Sequence, residues 1–177
     1  MSRLLRAIPL FLLPVLSACQ PRMEQEETLV FLVRHAERAD DGGMASEEDP
    51  HLSAEGRGRA EVLARLLKDA GLTHIHSSDY LRTRETAAPL AAATGLPVSI
   101  YDTRDLDAFA AALLATPGRH LVVGHSGSTP RLVAALGGDP HGAIEKMEYD
   151  RLYLLSIDPG GVETILLRFG APNQTTP

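Results

Sequence analysis

Apolar residues in this chain form two kinds of pattern, short uninterrupted runs and longer stretches with helical spacing. The clearest run is 29–33, which has no polar alternation and predicts a strand buried on both faces of a sheet. A second apolar run, over 121–123, follows His120, and the two runs lead into Arg34-His35 and His125 respectively. Ligands of open α/β sheets lie beyond the carboxyl ends of the strands. We therefore expect both histidines at one edge of the sheet, where a small substrate would bind.

Helical and strand patterns alternate along the rest of the chain. Leu63, Leu66 and Leu67 have helical spacing behind Ser53, a predicted N-cap, and Gly71 ends that helix. This alternation predicts a three-layer α/β/α fold with a mostly parallel central sheet and an antiparallel edge. The remaining predicted helices are 80–94, 106–115 and 131–136, and the remaining predicted strands are 73–78, 98–101, 152–157 and 162–169.

The N-terminal residues have a pattern of their own. Two arginines precede an apolar stretch over 7–16, which is too short to span a bilayer permanently and is typical of a secretory signal. Cys19, the one cysteine of the sequence, follows Leu-Ser-Ala, and this segment resembles the lipobox of bacterial lipoproteins. We therefore predict a signal peptide over 1–18, lipidation of Cys19, and a lipidated tether over 19–27.

Length and charge constrain the part of the chain beyond the signal peptide. The whole chain carries −6, and the predicted signal peptide holds two arginines and no acid, so the remaining 159 residues carry −8. This length fits one domain, predicted over 28–170 with a C-terminal tail over 171–177. The acidic charge argues against a nucleic-acid partner, and we expect a monomer. The lipid anchor at Cys19 predicts a periplasmic location, and Gln20 after it favours the outer membrane.

Four short motifs occur in order along the chain, at 34–37 (Arg-His-Ala-Glu), 52–56 (Leu-Ser-Ala-Glu-Gly), 77–87 (SSDYLRTRETA) and 124–126 (Gly-His-Ser). Their order and rough spacing resemble the histidine phosphatase superfamily, which has the phosphoglycerate-mutase-like fold. The resemblance covers nearly all of the predicted mature chain. Within the family, the chain is most similar to the short, compact phosphatases. The sequence departs from the family pattern at Ala36, where the family usually has glycine.

The resemblance implies a role for each residue of the motifs. His35 would accept the phosphoryl group as a phosphohistidine, which divides one hard displacement into two easier ones. Arg34, Arg82 and His125 would bind the phosphoryl group, because guanidinium forks match phosphate oxygens and an imidazole can donate to them. Arg84 competes with Arg82, since residues two apart on a helix point to different faces, and the resemblance selects Arg82. It implies chemistry without a metal or another cofactor.

The proton donor for the leaving group is the least defined residue. The family places an acid after the third strand, where this chain has Asp102, Asp105 and Asp107. Asp102 ends the predicted strand, and helix capping explains Asp105 equally well. Asp107 ranks below both because it falls inside the predicted helix.

The favoured function is hydrolysis of a small phosphate monoester without a metal. The alternatives are a phosphohistidine-protein phosphatase, which export disfavours, and a non-catalytic phosphate-binding lipoprotein. A mutase is disfavoured because this short chain lacks the insertions that enclose the intermediate in the mutases it resembles. A metal site at His74 and His76 is also disfavoured, because their spacing matches no metal-binding motif.

Overall fold

The computed structural model describes residues 27–40 and 49–172. The predicted signal peptide, Cys19 and most of the tether lie outside the described residues. Helices and strands in the described part are β1 (Thr28–Arg34), α1 (Ala54–Leu67), β2 (His74–Ser78), α2 (Leu81–Thr94), β3 (Val98–Tyr101), α3 (Leu106–Leu114), β4 (Arg119–Gly124), α4 (Ser128–Ala135), β5 (Arg151–Asp158) and β6 (Gly161–Arg168).

These strands form one six-stranded sheet in the order β3-β2-β4-β1-β5-β6. β3, β2, β4 and β1 pair in parallel, whereas β5 runs antiparallel to β1 and β6 antiparallel to β5. The sheet is therefore mixed, which corrects the predicted mostly parallel sheet. The difference lies in β5, which adds to β1 in the antiparallel direction. The connection from β5 to β6 at 159–160 is tight, and Asp158 Oδ1 accepts there from the amides of Gly160 and Gly161 at 2.6 and 3.1 Å. A turn this short can join only antiparallel neighbours.

The helices cover both faces of the sheet, so the predicted three-layer arrangement is confirmed. Val30 and Leu32 of β1 pack with α3 and α4, whereas Phe31 and Val33 pack with α1 and α2. The uninterrupted apolar run of β1 follows from this arrangement, because a strand between two helical layers has no solvent-facing side. Full burial of each such side chain stabilises the fold by about 1.5–3 kcal/mol.

Two helices differ from the predicted pattern. α4 begins at Ser128 rather than at residue 131, because Pro130 falls in the first turn, where its missing amide hydrogen costs no helical bond. α1 ends at Leu67, before Gly71, and Leu66 is 51 % exposed although it shares the apolar spacing. Ser53 caps α1 as predicted, and its Oγ accepts from the Gly56 amide at 3.0 Å.

The carboxyl ends of β1, β4 and β2 lie side by side and set the position of the candidate site. Arg34 pairs with Gly124 in the β1–β4 register, and the His35 amide donates to the Gly124 carbonyl at 2.9 Å. The residues that follow these two strands, His35 and His125, therefore lie at one edge of the sheet. A Cβ on Gly124 would come within 2.9 Å of Tyr101 Oη, so the strand end has no room for a side chain. Within residues 27–40 and 49–172, no helix is both long and apolar enough to cross a bilayer.

Candidate active site

His35 is a buried, neutral imidazole with one defined lone pair. Its side chain follows β1, the residue is 4 % exposed, and Nδ1 lies 2.8 Å from the Ala36 carbonyl oxygen. A carbonyl can only accept, so Nδ1 carries the proton and Nε2 is left with a lone pair. Burial lowers the pKa of His35 well below its usual value, and the charges of Arg34 and Arg82 act in the same direction. Nε2 is therefore unprotonated at neutral pH and can act as a nucleophile.

The turn after His35 is held by residues of α1 and α2. The Ala36 amide donates to Thr86 Oγ1 at 3.0 Å, and the Ala36 side chain is buried in a small cluster with Leu52 and Ala60. This cluster accommodates the methyl group at the position where a glycine was expected. A Cβ on Gly56 would come within 2.2 Å of the carbonyl oxygen of residue 37, so α1 can approach the turn only with a glycine there.

Glu37, one residue beyond Ala36, has a structural partner. Its carboxylate accepts from Nε and Nη2 of the buried Arg59 at 2.6–3.0 Å. Arg59 also donates to the carbonyls of Phe169 and Ala171 at 2.8 and 3.0 Å. Arg59 thus joins the turn after His35 to the segment that follows β6, and the two-point ion pair commits the carboxylate of Glu37 to the fold.

Arg34 is fixed by the segment before β5. Its Nη1 donates to the carbonyls of Glu145, Lys146 and Glu148 at 3.0, 2.9 and 3.1 Å. Nη2 donates to Tyr149 Oη at 3.2 Å, and the guanidinium lies 4.0 Å from the centre of the Tyr149 ring. These contacts orient a buried cation directly before His35.

The segment that holds Arg34 is itself fixed by an ion-pair network. Glu148 Oε1 accepts from Arg151 Nε at 2.7 Å and from Arg168 Nη1 at 2.6 Å. Burial alone would raise the pKa of Glu148, but the hydrogen bonds from Arg151 and Arg168 outweigh it and lower the pKa to about 2. The carboxylate is thus charged at neutral pH and keeps the carbonyls of this segment in place for Arg34.

Arg82, near the start of α2, faces the two histidines, whereas Arg84 faces solvent. The Arg82 side chain is 11 % exposed, and its Nη1 lies 3.1 Å from Asp49 Oδ1. Its Nε is buried and has no hydrogen-bond partner within the described part of the chain. The positive charge of Arg82 lowers the pKa of both histidines. Arg84 pairs with the exposed Asp79 instead.

His125 lies beside His35, with the ring centroids 5.4 Å apart. Its Nε2 is 2.8 Å from Ser78 Oγ, which is 3.0 Å from Thr83 Oγ1. The Thr83 hydroxyl donates to the carbonyls of Ser78 and Tyr80 at 2.9 Å, so Ser78 must donate to Thr83 and accept from His125 Nε2–H. Nδ1 is consequently the ring atom with a lone pair while His125 is neutral.

The charge state of His125 depends on its surroundings. Burial, followed by the positive charges of Arg82 and Arg34, lowers its pKa to about 4. The carboxylate of Asp49 acts in the opposite direction. His125 is therefore neutral at pH 7, and added negative charge nearby would favour its protonated form.

The structure does not join the predicted proton donors to the histidines. Asp102 forms a fork with Arg104 at 2.7–3.1 Å, and these hydrogen bonds lower the pKa of Asp102 to about 2. Asp105 caps α3, and its Oδ1 accepts from the Ala108 amide at 3.1 Å. Asp107 lies in the first turn of α3. These contacts are local to the connection between β3 and α3.

Sequence reasoning missed three residues that border the site. Asp49 accepts from the Leu81 amide at 3.0–3.1 Å as well as from Arg82, and its only sequence signal was its place in the acidic loop after β1. Tyr80 lies under the Arg82 guanidinium at 4.4 Å and contacts the His125 ring edge-on at 4.9 Å. Tyr149 follows an irregular stretch that has no periodic pattern to mark it.

A second group of histidines lies at the opposite, amino ends of β2 and β4. The rings of His74 and His120 stack at 4.6 Å, and His76 Nε2 lies 3.1 Å from His120 Nδ1. His120 Nε2 donates to the Thr116 carbonyl at 2.9 Å. These ring nitrogens are engaged in hydrogen bonds, and no group of three or more His, Cys, Asp or Glu side chains in the described residues is placed to hold a metal ion.

Comparison with known proteins gives matches in sequence and in fold. The family model of the histidine phosphatase superfamily (branch 1) matches residues 30–107. The curated protein "Probable phosphoglycerate mutase GpmB" of Escherichia coli (strain K12 / DH10B) is 40 % identical over 77 residues, which is 42 % of this chain. The match spans only 35 % of that relative's length.

The folds of solved phosphatases match over most of the chain. The α-ribazole phosphatase from Shigella flexneri has a TM-score of 0.65 at 19 % identity and covers 82 % of this chain and 100 % of its own. The protein histidine phosphatase SixA complexed with tungstate has a TM-score of 0.60 at 21 % identity, with 80 % and 95 % covered. At such identities the likeness concerns the fold alone. The family model over residues 30–107, the curated relative and the four motifs make this chain similar to the histidine phosphatase superfamily.

Proposed function

We propose that this chain is a phosphatase that hydrolyses a phosphate monoester through a phosphohistidine on His35. The observation that carries the proposal is the hydrogen bond from His35 Nδ1–H to the Ala36 carbonyl, at 2.8 Å in a buried site. It leaves Nε2 as a nucleophile among Arg34, Arg82 and His125, whose charges and donors suit a phosphoryl group. The superfamily contains phosphatases and mutases, and the experiment below separates the two.

In the first step, His35 Nε2 attacks phosphorus and the ester bond to the alcohol oxygen breaks. The alcohol leaves with a proton from an acid, and the phosphoryl group stays on Nε2. The Nδ1–H bond to the Ala36 carbonyl supports the positive charge that the ring then carries. Arg82 offers guanidinium N–H donors to an oxygen of the transferring group, which is where the negative charge is spread in the transition state.

His125 is expected to change its charge when the substrate binds. A phosphate dianion opposes the effect of Arg34 and Arg82, so it raises the pKa of His125 and favours protonation at Nδ1. Because Nε2 already donates to Ser78, the new proton gives His125 a second donor, which can face a phosphoryl oxygen. In the second step, water attacks phosphorus, one proton of the water returns to the acid that protonated the alcohol, and the bond from phosphorus to Nε2 breaks. Orthophosphate then leaves, and His35 returns to its neutral form.

Release of inorganic phosphate from a monoester tests this function directly. We expect the purified full chain to hydrolyse p-nitrophenyl phosphate in excess EDTA and to be inhibited by vanadate, because the groups that hold the phosphoryl oxygens are side chains of the protein. Phosphate release and phosphate transfer to an added alcohol are measured in the same samples. Transfer without release would assign a mutase, binding without either would assign a phosphate-binding protein, and loss in EDTA with recovery on adding zinc or magnesium would contradict the metal-free mechanism.

The proton donor can be found by its dependence on the leaving group. Asp102→Asn and Asp105→Asn test the two predicted acids, and Asn at 105 keeps the cap of α3 because its side-chain oxygen also accepts. The variant that lacks the true donor should lose about 100-fold on an alkyl phosphate and little on p-nitrophenyl phosphate, whose leaving group needs no proton.

Asp49→Asn is a third variant to test, because the Asp49 carboxylate contacts Arg82 Nη1 at 3.1 Å. Equal losses on both substrates would indicate a structural role for the residue replaced. If none of the three variants shows leaving-group dependence, a donor among these carboxylates is ruled out.

We also propose that the domain is held at the periplasmic face of a membrane by a lipid on Cys19, outside the described residues. Two or more acyl chains bind a bilayer stably, since each buried methylene contributes about 0.8 kcal/mol. Cys19→Ser should therefore move the protein from the membrane fraction to the soluble fraction. If the variant still sediments with membranes after a high-salt wash, the lipid anchor is wrong.

A further inference from the structure

A cleft of about 560 Å³ opens at the carboxyl ends of β2 and β3. Its apolar lining includes Tyr80, Ile100 and Tyr101, and its polar lining includes Asp79, Asp102 and Arg104. Of these side chains, only Asp102 has been considered for the proposed reaction, as a candidate proton donor.

Tyr80 is shared by the cleft and the catalytic residues. Its ring lines the cleft, contacts the His125 ring edge-on at 4.9 Å, and lies under the Arg82 guanidinium at 4.4 Å. Tyr101 forms a second link, because its hydroxyl donates to the Val123 carbonyl at 3.4 Å, two residues before His125. An alcohol esterified to a phosphoryl group at Arg82 and His125 can therefore extend past Tyr80 into the cleft.

The apolar part of the lining is unusually open to solvent. Tyr80 is 38 % exposed and Ile100 is 50 % exposed, although both are large hydrophobic residues. An aromatic ring and a branched side chain side by side offer a flat surface to the face of a ring. A ring-shaped alcohol would cover this surface, whereas a short open chain would leave part of it in water.

The described charged residues that line the cleft include no positively charged side chain without an acidic partner. Arg104 forms its fork with Asp102, and Asp79 pairs with Arg84. Among the described residues that line the cleft, the acids outnumber the bases two to one. A second phosphate or a carboxylate on the leaving group would find no unpaired cation among these lining residues, whereas alcohol hydroxyls can donate to the carboxylates.

We propose that this cleft binds the alcohol part of the substrate and selects monophosphate esters of uncharged, hydroxyl-bearing rings, the chemistry of a sugar monophosphate. The inference rests on the proposed phosphatase function and names the substrate class of the same site. The ring would pack on Tyr80 and Ile100, and its hydroxyls would donate to Asp79 and Asp102.

Two matched pairs of substrates test the ring and the charge separately on the purified full chain. Glucose 6-phosphate and sorbitol 6-phosphate differ in having or lacking a ring, and glycerol 3-phosphate and 3-phosphoglycerate differ by a carboxylate. We expect kcat/KM to favour the first member of each pair by about tenfold. Equal values within both pairs, or preference for the second members, would overturn the proposal.

Variants then assign the preferences to the cleft. Ile100→Lys adds a cation to the cleft and should raise the kcat/KM ratio of 3-phosphoglycerate to glycerol 3-phosphate by about tenfold. Ile165→Lys is the matched control, because Ile165 is 44 % exposed on β6, the opposite edge strand of the same sheet. The control should leave the ratio unchanged, and an equal response of both variants would contradict the assignment.

Tyr80→Ala should reduce the preference for glucose 6-phosphate over sorbitol 6-phosphate about fivefold, through KM, whereas Tyr80→Phe should keep it. An equal fall in kcat on both substrates would instead mean that Tyr80 only positions Arg82 and His125, which would overturn its role in substrate choice. Hydrolysis of p-nitrophenyl phosphate is the reference. If the wild-type chain fails on it, the proposed function itself fails; if it succeeds and the ratios do not shift, only the cleft assignment fails.

Discussion

His35→Ala should abolish phosphate release, with kcat/KM for p-nitrophenyl phosphate reduced by about 10⁶-fold, as when other enzymes lose a covalent nucleophile. The reason is geometric. His35 Nδ1 donates its hydrogen to the Ala36 carbonyl, so Nε2 carries the lone pair that can attack phosphorus. The phosphoenzyme should vanish together with turnover. It can be measured by rapid mixing with radiolabelled substrate and tested for the acid lability of a phosphohistidine.

His74→Ala is the matched control for this substitution. His74 begins β2 at the edge of the sheet opposite the site, where it stacks on His120. Its loss should lower the free energy of unfolding but leave kcat/KM within about twofold of the wild-type value, because the length of the strand separates it from the catalytic residues. Labelled phosphoenzyme in His35→Ala would contradict the assignment and would point to His125 as the nucleophile.

The apolar run of β1 illustrates what the sequence predicts well. An uninterrupted apolar strand between two helical layers has one physical interpretation, and the polar residues that come directly after it must lie at the sheet edge. The same argument applies to β4, and the register then brings His35 and His125 together. The apolar pattern therefore locates the two histidines, although it does not specify which nitrogen of either ring carries the proton.

Contacts between distant segments explain what the sequence did not predict. Arg34 is oriented by carbonyls more than a hundred residues away, in an irregular segment that local patterns do not describe. The antiparallel extent of the sheet likewise depends on how β5 adds to β1, which a strand pattern leaves open. Leu66 shares the apolar spacing of α1 but points away from the sheet, since a helix buries only one stripe.

The proton donor remained open for a related reason. Several carboxylates follow β3, and their sequence positions do not show what each one contacts. The structure shows that Asp102 pairs with Arg104 and that Asp105 caps α3, whereas Asp49, from a loop before α1, reaches Arg82. A residue that enters the site from a distant loop carries no periodic signal, so only the fold reveals its position.

Arg82→Ala should reduce kcat/KM by about 10³-fold, whereas Arg84→Ala should change it by no more than about twofold. The two arginines are close together on α2, but the side chain of Arg82 is only 11 % exposed and is directed toward His35 and His125, whereas Arg84 is paired at the surface. Removing Arg82 withdraws donors from the transferring phosphoryl group, and most of the loss should appear in kcat because charge builds up there in the transition state.

Arg82→Lys separates the charge of Arg82 from its shape. A lysine keeps the positive charge but loses the planar fork and the buried Nε–H that has no partner among the described residues. We therefore expect it to recover only part of the activity that Arg82→Ala loses. Thermal unfolding of each variant controls for the contact with Asp49, whose carboxylate loses its partner in Arg82→Ala and keeps one in Arg82→Lys. If Arg84→Ala loses as much activity as Arg82→Ala at equal stability, the assignment of phosphoryl binding to Arg82 alone is wrong. The phosphoryl site must then extend to the exposed face of α2.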